Sequence, residues 1–291
     1  MSWRVVVISS RSKLDYKMGF MVVRNENGEK RIHLGDISVV MCETTAISIT
    51  AYLMAELVRN KIKVIFCDNE HNPLSELVPM KGSYDTSGKI RTQIKWNELT
   101  KSLVWMDIIK NKIRNQAKVL LKVGEKEKSD QLLKYVEEVE PGDITNREGH
   151  AAKVYFNALF DEDFYRNGDD ARNAILNYGY TILLSCFNRE ISASGYLTQI
   201  GLWHDNVSNP FNLGSDLMES FRPIIDYFAY KADFKTLESE EKMQIVSLLN
   251  SKVMIADSSQ FLNNAIGIYT RSVFNAIENN DVGLIKNWYE L

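Results

Sequence analysis

The chain has 291 residues, of which 45% are hydrophobic and 25% charged, as in an ordinary soluble globular protein. This length suffices for two domains and argues against the low-complexity and small disulfide-stabilised classes. The 38 acidic and 35 basic residues give a net charge of -3, which excludes a uniformly basic coat for nucleic acid, so an anionic ligand must meet a local basic surface.

The first 72 residues predict a small β-rich domain of antiparallel strands with one helix. Strands are predicted at the short β-branched or aromatic runs 3–8, 20–24, 30–34, 37–42 and 63–67. Asn27-Gly28 predicts a hairpin between the second and third runs, because both residues tolerate positive φ. Apolar residues at helical spacing predict the helix between Thr45 and Asn60.

Turn-forming residues concentrate between His71 and Gly88, which predicts a linker over 73–88. After Gly88 the apolar residues recur at helical spacing, which predicts a larger all-α domain over 89–291. The predicted helices are 89–123, 130–138, 147–160, 171–194, 216–230, 238–249 and 257–278. The expected fold class is therefore α+β.

Three cysteines, Cys42, Cys67 and Cys186, are too far apart for a CxxC site. Their odd number is typical of reduced thiols in a cytosolic protein. The amino-terminal apolar run is much shorter than a signal-peptide core, and no window approaches the roughly 20 apolar residues of a membrane span. We therefore expect a cytoplasmic protein without a disulfide, a structural zinc or a membrane contact.

The segment 89–122 is basic, with nine lysines and arginines against Glu98 and Asp107. A helix with this charge is suited to neutralising phosphates and releasing counterions. The alternative is a solvated helix face, because lysine and arginine are good helix formers.

Three stretches of the helical region concentrate possible metal ligands. Thr145 and Glu148 have the spacing of a capping box, which would make Glu148 a helix starter. His204 lies in the polar loop 201–210, where a lone histidine is usually structural. Asp216 and Glu219 share a helix face, although an acidic first turn also suits the helix dipole.

Together these stretches supply one imidazole and two or three carboxylates, a set that suits Mg²⁺ or Mn²⁺ better than structural Zn²⁺. The motifs GxGxxG, GxxxxGK[ST], GxSxG and HExxH are absent from the sequence. Nucleotide-cofactor and serine-hydrolase functions therefore lose support.

At these motifs the chain resembles the CRISPR-associated adaptation integrase family, historically named the CRISPR-associated endonuclease Cas-one. The motifs are Thr-Asn-Arg-Glu-Gly at 145–149, Asn-Tyr-Gly-Tyr at 177–180, Gly-Leu-Trp-His-Asp-Asn at 201–206, Asp-Leu-Met-Glu at 216–219 and Phe-Arg-Pro at 221–223. In detail they most resemble the type II-A subtype.

The resemblance implies that Glu148, His204 and Glu219 are the catalytic residues and bind Mg²⁺ or Mn²⁺, with support from Asp216 and Asn206. Many members of the family carry aspartate where this chain has Glu219, which is one methylene longer. Under the same resemblance, the basic residues form a DNA-binding surface made of Lys89, Arg91, Lys95, Lys110, Lys112, Arg114, Lys118 and Arg222.

The implied activity is the insertion of captured foreign DNA at the leader-end repeat of a CRISPR array. The 3′-hydroxyl of the fragment attacks a phosphodiester while the metal stabilises the developing charge. The implied partners are double-stranded DNA and a small dimeric protein, CRISPR-associated protein two. The chain itself would form a homodimer, with two dimers per complex. Other type II-A adaptation proteins and the effector nuclease are further implied partners. A metal-dependent DNA endonuclease without an integrase role and a non-catalytic DNA-binding scaffold of the same complex are the alternatives.

Overall fold

Strands dominate the amino-terminal region and helices dominate the rest of the chain. The computed structural model describes residues 4–69, 71–77, 80, 83–166, 168, 170–232, 234 and 236–290. The strands are β1 (Arg4–Ile8), β2 (Ser12–Lys17), β3 (Phe20–Asn25), β4 (Gly28–His33), β5 (Ile37–Cys42), β6 (Ile47–Ile49), β7 (Lys63–Cys67), β8 (Pro73–Glu76), β9 (Lys252–Ile255), β10 (Ser258–Phe261) and β11 (Trp288–Glu290). The α-helices are α1 (Ala51–Arg59), α2 (Thr86–Gln93), α3 (Glu98–Val123), α4 (Lys126–Glu138), α5 (Arg147–Leu159), α6 (Ala171–Ala193), α7 (Asn212–Met218), α8 (Arg222–Lys231), α9 (Ser239–Ser247) and α10 (Leu262–Asn279).

Two four-stranded sheets make up the amino-terminal region. One has the strand order β4-β3-β2-β6, and its β3–β4 hairpin is the one predicted at Asn27-Gly28. The other has the order β1-β5-β7-β8, in which β1, β5 and β7 are parallel. Antiparallel pairing was therefore correctly predicted for β3–β4 and wrongly for β1–β5–β7, and the strand β2 was not predicted. Apolar runs identify strands but not their direction, which follows here from the crossover through α1 between β5 and β7.

Several predicted boundaries shift in this region. The helix predicted from Thr45 begins at Ala51, because Ile47–Ile49 pairs with β2 as a strand and Thr50 caps the helix. The side-chain oxygen of Thr50 accepts a hydrogen bond from the backbone N–H of Leu53. Of the strand predicted at 3–8, Trp3 lies outside the described residues.

The stretch 73–88, predicted as a linker, contains regular structure. Pro73–Glu76 forms β8 and pairs with β7, and α2 begins at Thr86. Residues 78, 79, 81 and 82 lie outside the described part of the chain.

The parallel sheet is buried on both faces. On one face, Val40 and Val64 pack with Leu53 and Leu57 of α1. On the other, Val39, Met41 and Ile65 belong to the core that the helices form. Alternate residues of a strand point to opposite faces, so a single strand serves both cores.

Two predicted helices are broken. The helix predicted over 89–123 ends at Gln93 and restarts at Glu98, because Asn97 caps α3 by accepting hydrogen bonds from the N–H groups of Leu99 and Thr100. The helix predicted over 216–230 is interrupted by a 3-10 turn at Glu219–Phe221. Pro223 explains this interruption, since it has no N–H to donate to the carbonyl of Glu219 four residues earlier.

The carboxy-terminal region is helical but not all-α. A small sheet of order β10-β9-β11 lies within it, and β10 takes residues that were predicted as helix. Ala256 and Asp257 form the β9–β10 turn with positive φ, a conformation that aspartate tolerates but that is uncommon for alanine. The α+β class, with a β-rich region followed by a larger helical region, is confirmed.

Across the described ranges, no helix has both the length and the apolar character needed to span a bilayer.

Gly179 of α6 lies where α6 and α8 pack closely, since a β-carbon there would stand 2.4 Å from Cγ2 of Ile225. We expect Gly179→Ala to lower the free energy of unfolding by about 1–3 kcal/mol through overpacking. Urea unfolding measures this change. The matched control is Gly88→Ala on α2, where a β-carbon meets nothing within 4 Å and the better helix former should add about 0.5–1 kcal/mol.

The double variant Gly179→Ala/Ile225→Ala tests the cause. Removing Cγ2 of Ile225 makes room for the new methyl group, so the double variant should lose less stability than the two single variants together. Strictly additive losses would contradict a clash between these two positions.

Candidate metal and DNA site

The ammonium group of Lys112 lies between two carboxylates. Lys112 is on α3, Glu148 is in the first turn of α5, and Glu219 begins the 3-10 turn between α7 and α8. Nζ of Lys112 lies 2.5 Å from Oε1 of Glu148 and 2.6 Å from Oε2 of Glu219. Lys112 and Glu219 are buried, at 8% and 4% exposure. The lysine thereby joins two acidic residues that are far apart in sequence.

The start of α5 leaves the Glu148 carboxylate free for this contact. Asn146, in the left-handed conformation at φ 52°, caps the helix by accepting from the N–H of Gly149 at 3.2 Å. Asp143 accepts from the N–H groups of Arg147 and Glu148 at 2.8 and 3.0 Å. The predicted Thr145–Glu148 capping box is therefore wrong, because Asn146 and Asp143 already satisfy the first-turn donors.

Glu219 has a second cationic partner. Its Oε1 lies 2.8 Å from Nη2 of Arg222, whose guanidinium also lies over the ring of Tyr180 at 4.5 Å. Burial alone would raise the pKa of Glu219, but Arg222 and Lys112 outweigh burial and lower it. Burial likewise opposes the charge of Lys112, yet Glu219 and Glu148 raise its pKa above the ordinary value. Both shifts favour the ionised forms of Glu219 and Lys112.

His204 is oriented by the fully buried Asp216. The carboxylate of Asp216 accepts hydrogen bonds from the backbone N–H groups of Leu202 (2.6 Å), Trp203 (3.1 Å) and His204 (3.1 Å). Its Oδ1 also lies 2.5 Å from Nδ1 of His204. An ionised carboxylate can only accept, so Nδ1 carries the proton and Nε2 is the nitrogen available to a ligand.

The hydrogen bond to Asp216 raises the pKa of His204 despite partial burial, and the charges of Glu219 and Glu148 act in the same direction. The imidazole also contacts Trp105 of α3, the helix that carries Lys112. Metal-binding histidines commonly donate a hydrogen bond from their other ring nitrogen to a carboxylate, as His204 does here.

Trp105 of α3 supports the loop that carries His204. Its ring stacks on Trp203, with centroids 5.9 Å apart and planes 7° apart, and meets the His204 ring edge-on at 5.6 Å. Gly142 lies under Trp203, where a β-carbon would be 3.0 Å from the indole. These contacts support the loop, while Trp203 remains about half exposed.

The structure brings the predicted ligands near one another but does not close them around one point. Glu148 and Glu219 share Lys112, whereas His204 contacts Asp216. Among the residues placed by the structure, no group of three or more histidine, cysteine, aspartate or glutamate side chains is arranged to hold a metal. Asn206 contacts its own loop instead, through Ser208 and Asn212.

The predicted DNA-binding residues divide by exposure. Arg91, Lys95 and Lys118 are exposed, and Lys89, Lys110 and Arg114 are half-buried. Lys112 and Arg222 do not belong to an exposed basic surface, because both are turned towards Glu219.

The interior role of Lys112 was missed from the sequence, although a signal existed. Lys112 follows Ile108 and Ile109 at helical spacing and so lies on the apolar stripe of α3. A lysine on such a stripe must be paired with acidic groups when it is buried. The supporting roles of Trp105 and Asp143 had no comparable signal.

Residues 5–236 match the family model of the CRISPR associated protein Cas1. The chain belongs to the Cas1 family. It is 33% identical over 226 residues to a CRISPR-associated endonuclease Cas1 from Neisseria meningitidis serogroup C (strain 8013), covering 78% of this chain and 74% of the relative.

Solved structures share the Cas1 fold seen here. A casposase bound to integration product superposes with a TM-score of 0.76 at 18% identity, covering 97% of this chain and 93% of that one. A Cas6-RT-Cas1–Cas2 complex superposes with a TM-score of 0.75 at 19% identity. The match covers 99% of this chain but only 36% of that much longer chain.

Replacing Asp216 by asparagine should lower the pKa of His204, because the amide cannot supply the negative charge that favours the imidazolium. NMR titration of the imidazole in the metal-free protein measures the change. The control is Asp205→Asn, which removes a neighbouring exposed carboxylate and leaves the contact between Asp216 and the His204 imidazole in place. Equal pKa values in wild type and Asp216→Asn would contradict the orienting contact.

Proposed function

We propose that this Cas1-family protein is a metal-dependent DNA integrase of CRISPR adaptation. It joins the 3′-hydroxyl ends of captured DNA to the leader-end repeat of a CRISPR array. The observation that carries the proposal is the pair of carboxylates, Glu148 and Glu219, drawn together around one cationic group, with an imidazole that Asp216 orients and that contacts the same helix α3.

The donor set fits Mg²⁺ or Mn²⁺. Two carboxylates and one imidazole are ligands that these ions accept, and the carboxylates already share a cation of lower charge. Glu148, Glu219 and Nε2 of His204 would hold the ion, with Asp216 holding the imidazole from behind. When bound, the ion would polarise the scissile phosphodiester and neutralise the charge that develops on it.

The reaction balances without an energy source. The 3′-oxygen of the captured fragment forms a bond to a phosphorus of the repeat, the existing phosphorus–oxygen bond breaks, and the proton of the attacking hydroxyl passes to the solvent as the departing 3′-oxygen gains one. One phosphodiester replaces another, so no nucleotide-binding motif is required. Arg222 supports this chemistry by keeping Glu219 ionised and in place.

Double-stranded DNA would approach along the α2–α3 segment. The exposed Arg91, Lys95 and Lys118, with Lys89, Lys110 and Arg114 beside them, supply local positive charge in a chain of net charge -3. The solved casposase is bound to integration product, and a joined DNA is the product that this proposal requires.

The proposed assembly is a homodimer, with two dimers around a dimeric Cas2 partner. The support is the fold shared with the Cas1 part of a Cas6-RT-Cas1–Cas2 complex. The motif sequences at 201–206 and 216–223 support the type II-A subtype. This subtype would add further adaptation proteins and the effector nuclease as partners.

A metal-dependent endonuclease is the second candidate, favoured by the name of the Neisseria relative. It would use the same three ligands with water as the nucleophile. Only the products of the reaction separate the two candidates.

Alanine at Glu148, His204 or Glu219 should reduce strand transfer by roughly a hundredfold or more, because each substitution removes one ligand of the ion that stabilises the transition state. The assay combines the protein, its Cas2 partner, a labelled duplex with free 3′-hydroxyl ends, a supercoiled leader-repeat plasmid and Mn²⁺, with an EDTA control. Gel shift without metal checks that each variant still binds the duplex.

The products decide between the candidates. Label joined to the plasmid supports the integrase, and a cut plasmid without joined label supports the endonuclease. Alanine variants that join DNA as fast as wild type would leave the protein a non-catalytic scaffold.

Arg91→Ala and Lys95→Ala should each weaken duplex binding and lower the slope of log K against log salt by about 1, if each side chain neutralises one phosphate. Fluorescence anisotropy over a salt series measures both quantities. Lys252→Ala removes an exposed lysine outside the α2–α3 segment and should leave the slope unchanged. An unchanged slope in all three variants would remove this segment from the DNA surface.

A further inference from the structure

We propose that Lys112 is a built-in counter-cation of the metal site: its ammonium group holds Glu148 and Glu219 together in the metal-free protein and competes with the divalent ion for them. This inference rests on the proposed function, because it concerns the same two carboxylates. It adds that Lys112 lowers the affinity of the site for metal and holds the two carboxylates together before metal binds.

The ammonium group of Lys112 lies between the two carboxylates that would hold the ion. Its Nζ lies within hydrogen-bonding distance of one oxygen from each carboxylate, at 2.5 and 2.6 Å. The two acids come from separate elements, the first turn of α5 and the turn after α7, and the lysine is the group that the structure shows between them. A divalent ion held by Glu148 and Glu219 would compete with Nζ for these carboxylates.

Burial makes the lysine necessary when no metal is bound. Lys112 and Glu219 are withdrawn from water, and a buried carboxylate without a cation is strongly destabilising. Arg222 compensates part of the charge through the other oxygen of Glu219, but it is not paired with Glu148. The lysine therefore keeps two like charges close together in the absence of metal.

The same contact opposes metal binding. A positive charge near the ligand oxygens repels a second cation, and the hydrogen bonds to Nζ compete for lone pairs of the oxygens that would coordinate it. Lysine is suited to this exchange, since its charge sits on a flexible four-carbon stem that can withdraw while the backbone of α3 stays in place.

The test measures Mn²⁺ binding to the full chain without DNA, by isothermal calorimetry and by the shift of the melting temperature. Lys112→Met should melt at a lower temperature than wild type in EDTA. It should also bind Mn²⁺ about tenfold or more tightly, because the competing charge is gone. The melting temperature should consequently rise more with Mn²⁺ in this variant than in wild type.

The matched control is Lys101→Met on the same helix, which removes a lysine paired with the exposed Glu98 at 3.1 Å. Its Mn²⁺ affinity should equal that of wild type. Lys112→Gln serves as a second variant that keeps a hydrogen-bond donor without the charge, in case the methionine variant does not fold without metal. It should also bind Mn²⁺ more tightly than wild type.

A double variant separates the electrostatic effect from damage to packing. Lys112→Met/Glu219→Gln restores the charge balance, so it should melt in EDTA above Lys112→Met while losing the Mn²⁺-dependent rise. If the double variant melts no higher than Lys112→Met, the lysine acts through packing and the inference is overturned.

The remaining outcomes distinguish the inference from the proposed function. If wild type binds Mn²⁺ and both Lys112 variants bind it no more tightly, the counter-cation is overturned and the metal site stands. If neither wild type nor the Lys112 variants bind Mn²⁺, the proposed metal-dependent function and the inference both fail.

Discussion

Compensation of the charge on Glu219 is the constraint on which the rest of the site depends. This carboxylate is buried at the end of a short helix, and it is tolerated there because Lys112 and Arg222 each bind one of its oxygens. Each partner is bound in turn to a further element: Lys112 reaches α5 through Glu148, and Arg222 lies over Tyr180 of α6. The helices around the site are therefore joined by charges as well as by apolar contacts.

Helix α3 is the element that organises these contacts. Trp105 supports the His204 loop, Lys112 joins the two acidic residues, and Asn115 donates from Nδ2 to the carbonyl of Ser220 at 3.2 Å. These three residues follow one side of the helix at spacings of seven and three, so one face of α3 reaches every part of the site. The same carbonyl of Ser220 also accepts from Nε1 of Trp288, which links β11 to the turn that carries Glu219.

Much of the fold was predictable because it follows from local periodicity. Strands β3 and β7 and helices α5 and α6 lie within a residue or two of their predicted bounds, since each is a run of apolar residues at one period between clear turn signals. The β9–β10 hairpin was missed because its turn contains neither glycine nor asparagine and places Ala256 at positive φ, which is uncommon for alanine. The break at Glu219 could have been read from Pro223, whose effect on the preceding turn is a general property of proline.

The site was predictable in its residue types and not in its contacts. Acidic residues and a histidine can be recognised in the chain, but the pairing of Lys112 with Glu148 and Glu219 joins positions 36 and 107 residues apart. No local pattern encodes such a pairing, because it arises only when α3, α5 and the turn before α8 pack together. Asp216 was chosen as a supporting residue by resemblance, and its actual contacts with three backbone N–H groups of the His204 loop depend on tertiary structure.

The shared core between the parallel sheet and the helices has a mechanical consequence. Val39, Met41 and Ile65 are packed into the helical core, and the hydroxyl of Tyr178 on α6 lies 3.8 Å from the sulfur of Met41. A hinge between the two regions would have to expose these side chains to water, at about 25 cal/mol for each Å² of apolar surface uncovered. The sheets and α6 should therefore move together as one rigid unit. A protein that binds to the sheets would reorient Glu148 and Glu219 together with the sheets rather than relative to them.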